Sequence, residues 1–125
     1  MAIKNTLLTY RNIVAGDMSQ ATVTSSVTNI QFLDDIGIQL NFTGSPVGTF
    51  AVQVSADYAQ DSQGNVTNAG NWIAISLTPA PVASGSADQI FIDIVQTSAP
   101  WIRVVYTKTS GTGTLNGYIT GKSVS

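Results

Sequence analysis

Apolar and polar residues alternate from position 36 onward, with Ile36, Ile38, Leu40 and Phe42 on one face and Gly37, Gln39, Asn41 and Thr43 on the other. A period of two predicts a half-buried strand. Gly44-Ser45-Pro46-Val47-Gly48 then supplies turn chemistry. Alternation resumes as Phe50, Val52, Val54 and Ala56 against Ala51, Gln53 and Ser55, so the two runs are expected to form a hairpin. Trp72 to Leu77 predicts a strand that ends before Pro79 and Pro81, because proline supplies no ladder donor. Gln89 to Val95 places Ile90, Ile92 and Ile94 inward and Phe91, Asp93 and Val95 outward. Trp101–Thr107 and Thr114–Thr120 flank Ser110-Gly111-Thr112-Gly113 and are expected to form a second hairpin around a glycine-rich tip.

The N-terminal thirty residues are less regular. Leu7, Leu8, Ile13 and Val14 suggest one strand, and Val23 and Val27 between Thr22, Thr24 and Ser26 suggest another. Polar Lys4, Asn5, Arg11 and Asn12 interrupt the short apolar pairs, so residues 1–20 are expected to form an extended arm outside the sandwich. Residues 21–125 are expected to form one domain. No stretch has helical periodicity. Short strands punctuated by Gly, Pro and Asn predict an all-β fold, an antiparallel β-sandwich that is jelly-roll-like or immunoglobulin-like.

Composition removes most catalytic vocabulary. The 125 residues include no His, Cys or Glu. Neither a Ser–His nor a Cys–His pair can be built, and a thiolate metal cage is excluded. The chain is therefore read as non-enzymatic, with no catalytic residue, cofactor or metal. Charged residues make up 10% of the chain, against about a quarter in an average soluble domain, and the net charge is −2. No basic block exists to neutralise a phosphate backbone, so no nucleic-acid partner is expected. Nothing approaches the ~20 apolar residues of a membrane span, and the N-terminus has no run of signal-peptide length, so the chain is read as soluble and unprocessed, with no membrane partner. The absence of cysteine fits assembly in a reducing cytoplasm.

The remaining constellations each have a plain structural alternative. Asp34 and Asp35 are adjacent on an extended chain and point apart, so they cannot act as facing carboxylates. Asp57, Asp61 and Asn65 could gather oxygen ligands for Ca²⁺, but their spacing matches no EF-hand, and solvated bends account for them. Gly111-Thr112-Gly113 has neither a helix behind it nor a P-loop lysine. Trp72, Trp101, Tyr58, Tyr106 and Tyr118 suit either packing or stacking on sugars. Arg103 sits in an apolar strand beside Trp101 and Val105, either reaching solvent or pairing with an Asp across an interface. Asn41-Phe42-Thr43 and Asn65-Val66-Thr67 match the glycosylation sequon and, with no secretory signal, are read as accidental.

The segments VGTFAVQVSADY, GNWIAISL, IFIDIVQTSAPWIRVVYT and SGTGTLNGYITGK, which fall between Ile30 and Lys122, resemble small β-sandwich proteins encoded among the virion genes of tailed bacteriophages. None of them is a catalytic motif. The resemblance implies a structural component of a virion, assembled in the host cytoplasm: a capsid decoration (cement) protein acting through protein–protein contacts, or alternatively a tail-associated adaptor or receptor-binding module that binds host glycan. Implied partners are the major capsid protein or tail proteins. Outward-facing Phe91, Val95, Trp101, Arg103 and Val105 are the candidate interface of a homo-oligomer, for which the resemblance favours a trimer over a dimer. The candidate contact loops hold Gly64, Asn65, Asn68 and Gly70, and Gly111, Thr112 and Gly113.

Overall fold

A computed structural model describes residues 5–30, 35–77, 80–95 and 99–124. Residues 1–4 of the expected arm and Asp34 lie outside them. The described residues hold strands and turns and no helix. In chain order the strands are β1 (Asn5–Asp17), β2 (Thr22–Thr24), β3 (Thr28–Asn29), β4 (Asp35–Gly44), β5 (Val47–Ser55), β6 (Ala59–Gln60), β7 (Val66–Asn68), β8 (Ile73–Ala74), β9 (Val82–Ser84), β10 (Asp88–Val95), β11 (Trp101–Ser110) and β12 (Gly113–Val124).

Two antiparallel sheets stack face to face. The first has the order β1-β12-β4-β10, and the second runs β2-β11-β5-β8, with β3 also on β11 and β9 also on β5. Strands β6 and β7 form a separate small ribbon. Ile36, Ile38, Leu40 and Phe42 of β4 are buried, as the alternation predicts, together with Ile92 and Ile94 of β10 and Leu115 and Ile119 of β12. The second sheet meets them with Phe50 and Val52 of β5 and Ile102, Val104 and Tyr106 of β11. Phe50 joins the layers at one end, its ring 5.6 Å from Phe42 and 4.9 Å from Tyr106. Burying these side chains is the main favourable term in folding.

Both expected hairpins are corrected. β4 and β5 belong to different sheets, as do β11 and β12. In a hairpin, the apolar sets of β4 and β5 would line one face of one sheet and need a third layer to cover them. Crossing between layers lets each set bury the other. The two crossings lie side by side. Ser45 N donates to Thr112 O at 2.9 Å, Gly44 pairs with Gly113, and Pro46 is fully buried. Gly111 has φ +78°, and a Cβ there would stand 2.1 Å from the Ser45 carbonyl oxygen, so only glycine fits.

The expected arm is corrected as well. β1 pairs with β12 from Asn5↔Val124 to Asp17↔Thr114, with register shifts between Arg11 and Ile13 and between Ile13 and Gly16. Ile13 and Met18 enter the common core. Of the polar interruptions, Arg11 is exposed, and Asn12 is buried at the register shift between Arg11 and Ile13 of this edge strand. The expected Trp72–Leu77 strand shortens to Ile73–Ala74, and β9 follows the proline-rich segment.

Candidate functional site

Two outer faces are available, one per sheet, and the residues expected to form a single interface divide between them. Trp101, Arg103 and Val105 lie on β11 in the second sheet, whereas Phe91 lies on β10 in the first. The two strands stand in opposite layers, so the expected single apolar patch is not formed. Val95 ends β10, and its side chain lies outside the described ones.

The face of the second sheet is roofed by its own chain. Tyr58 is buried, with its ring 4.9 Å from Trp101 and 5.5 Å from Trp72. The Arg103 guanidinium stands 4.3 Å from the Trp72 ring centre, and its Nε donates to Gln53 Oε1 at 2.8 Å. Arg103 therefore has its planar cation stacked and hydrogen-bonded within the chain. Asp57 holds the roof in place. Its carboxylate accepts from Asn71 N at 2.8 Å, Asn71 Nδ2 at 2.7 Å and Ser55 Oγ at 2.9 Å. These bonds, the Asn71 backbone N–H foremost, keep the Asp57 carboxyl below its ordinary range.

The 61–70 loop is built around a second carboxylate. Asp61 accepts from Gln63 N and Asn65 N, both at 2.9 Å, and from Asn65 Nδ2, and the Asn65 backbone bond is the largest cause of its lowered pKa. Asn68 Oδ1 accepts from Gly70 N at 3.0 Å. Gly70 packs on the Tyr58 backbone, whereas a Cβ on Gly64 would meet nothing within 4 Å. Asn65 and Asn68 thus shape the loop, and Gly64 is its open point. At the opposite link Gly111 and Thr112 are exposed, but their backbone is fastened to Ser45 and Pro46 rather than standing free as a hairpin tip.

The outer face of the first sheet carries a row that crosses all its strands: Phe91 opposite Gln39, Gln39 opposite Tyr118, Tyr118 opposite Arg11. Phe91 is 58% exposed. Arg11 lies over Tyr118, 5.7 Å from the ring centre, and donates to Asn116 Oδ1. The alternation of β10 marks Phe91 as an outward aromatic residue, with Asp93 and Val95, but carries no signal for Gln39, Thr9 and Arg11. Ordinary polar residues carry no signal until pairing places them together. Among the described residues no group of three acidic side chains is arranged to hold a metal ion.

No protein-family model matches the sequence, and no curated protein is similar to it in sequence. Solved structures do match its shape. Chains in two structures of infectious bursal disease virus, one of them its T13 viral particle, superpose on 96% and 95% of this chain with TM-scores of 0.55 and 0.56, at 14% identity. This chain spans 32% and 31% of their length. The fold is a jelly-roll-like β-sandwich. The SPBc2 prophage-derived protein YomS covers 94% of this chain and is itself covered over 96% of its length, with a TM-score of 0.50 at 8% identity.

Proposed function

We infer that this chain is a non-enzymatic structural protein of a phage or virus particle, acting through protein–protein contacts as a capsid decoration or stabilising protein. The observation that carries the reading is the near-complete mutual coverage with a prophage-derived protein, 94% of one chain against 96% of the other, so that the whole sandwich corresponds. The similarity to chains of a viral particle supports a virion location. Chemistry points the same way. The Asp57 and Asp61 carboxyls sit below their ordinary range, held as anions by loop amides, which is the reverse of a carboxyl tuned to donate or abstract protons near neutrality.

Contacts with the particle are assigned to the edge formed by β8 and β9, which lie in tandem along one side of β5 and expose Ile73 and Val82 at 69% and 48%. Serine- and threonine-rich surroundings lose little rotamer entropy on burial, and repeated copies add avidity. The protein is expected to act as a homo-oligomer, with a trimer favoured. Particles grown from the genome that carries this gene should retain the protein after density-gradient purification, in a copy number tied to the major capsid protein. The Ile73→Lys/Val82→Lys double variant should fold normally and be lost from them. Absence of the native chain from purified particles overturns the reading.

A further inference from the structure

We propose that the outer face of the β1-β12-β4-β10 sheet binds a neutral oligosaccharide, with the Phe91 ring as its stacking surface. This inference goes beyond the virion reading and stands without it.

The geometry starts at Gly37. A Cβ there would lie 2.4 Å from Phe91 Cζ and 2.9 Å from Phe91 Cε1, so the ring leans along the sheet and rests on the glycine backbone, beside the Thr120 methyl. An exposed aromatic ring braced on the sheet, with more than half of the residue's surface in water, is a preorganised apolar platform. Beside it lies a depression of about 410 Å³ lined by Thr9, Gln39, Asn41, Phe91, Tyr118 and Thr120.

The lining selects the ligand class. Those side chains are hydroxyls, amides and aromatic rings, and the hydroxyls and amides each present both donors and acceptors, as sugar hydroxyls do, while the Arg11 guanidinium over the Tyr118 ring adds donors at one end of the row. Gln39 Nε2 donates to Asn41 Oδ1 at 3.1 Å, which fixes the amide orientations, and the Thr9 and Thr120 hydroxyls share a hydrogen bond at 3.1 Å. Phe91 and Tyr118 flank Gln39 two strand spacings apart, about 10 Å, which suits a chain of sugars better than a single ring.

The lining decides against a second copy of the protein: the hydroxyls and amides of Thr9, Gln39, Asn41 and Thr120 make it too polar for the core of a stable interface.

The test is NMR titration of the full ¹⁵N-labelled chain with cellohexaose, xylohexaose, maltohexaose, mannohexaose and the N-acetylglucosamine hexamer. At least one should shift the amides of Gly37, Gln39, Phe91, Tyr118 and Thr120 in a saturable way. Phe91→Ala should weaken that binding about tenfold or more, the loss of one good stacking contact, while the exposed Ile73→Ala on the other sheet leaves it unchanged. Gly37→Val, which dislodges the ring while keeping it in the protein, should weaken binding as well. The proposal is overturned if none of these sugars shifts those amides at millimolar concentration, or if the shifts fall on residues 61–71. It is equally overturned if the same amides shift with protein concentration alone and stop doing so in Phe91→Ala, which marks the face as a self-association surface.

Discussion

The Ser25 hydroxyl oxygen accepts a hydrogen bond from the Val104 backbone N–H at 2.8 Å, while the Ser25 N–H donates to the Val104 carbonyl, also at 2.8 Å. Ser25 stands in the gap between β2 and β3, where β11 would otherwise lose its outer partner, and it is itself buried. Ser25→Ala strands the Val104 N–H in the interior, a loss of about 1–3 kcal/mol. The urea midpoint should fall at constant m-value, and Ser25→Thr should recover most of the loss. An unchanged midpoint in Ser25→Ala means that another acceptor reaches that N–H.

Tyr106 is fully buried, and its hydroxyl has no partner among the described residues. Burial raises its pKa above the usual phenol value. Tyr106→Phe keeps the ring contact with Phe50 and removes the unpaired group, so unfolding free energy should stay equal or rise by about 1 kcal/mol. Gly48 beneath it is intolerant. A Cβ there would lie 2.3 Å from the Thr107 carbonyl oxygen and 2.7 Å from Tyr106 Oη, so Gly48→Ala should cost about 1–3 kcal/mol or more. Denaturant titration separates the two signs.

Deleting residues 1–17 removes β1, opens the whole length of β12 as a new edge and takes Ile13 from the core. Truncating one buried isoleucine alone typically costs about 2–5 kcal/mol. The shortened chain should lose its cooperative thermal transition or aggregate. A retained two-state melt at the native temperature would restore the view of this segment as a detachable arm.

Acid should destabilise the protein through its loop carboxylates. Asp17, Asp57 and Asp61 all sit below the ordinary value of 3.8, with hydrogen bonds from Ser19, Asn71 and Asn65 as their largest causes. A lowered folded pKa contributes stability that is present above the unfolded value and lost as pH falls through the folded one. The melting temperature should therefore be flat above about pH 5 and decline below about pH 4, with the decline weakened in Asp57→Asn/Asp61→Asn. These groups are exposed, so the effect should shrink with added salt. A chelator should leave the melting temperature unchanged, since amide and hydroxyl donors already occupy both carboxylates. A chelator-sensitive melt that disappears in the double variant would reveal a metal site.

The outer-face row shows what a linear reading misses. Phe91 stands out locally because it interrupts Ile90, Ile92 and Ile94 with an aromatic residue on the water side. Its floor, Gly37, is indistinguishable in sequence from any other small residue of β4, and Gln39, Tyr118 and Arg11 join it only through three separate strand pairings. The Trp101–Arg103–Val105 stretch has the opposite history. It reads as an exposed apolar stripe, but Tyr58 and Trp72, from a segment about thirty residues away in sequence at its near end, come back to cover Trp101 and Arg103.

By itself the sequence determined the all-β class, the inward residues of β4, β5, β10 and β11, and the glycine and proline turns, because strand periodicity and turn stereochemistry are properties of neighbouring residues. Which strands pair was decided only in the tertiary structure. The runs ending at Gly44 and at Ser110 are equally compatible with a hairpin and with a crossing, since alternation says which side chains face inward but not which layer they face from. Mutual burial of the two apolar faces, with Pro46 and Gly111 wedged into the crossings, selects the sandwich.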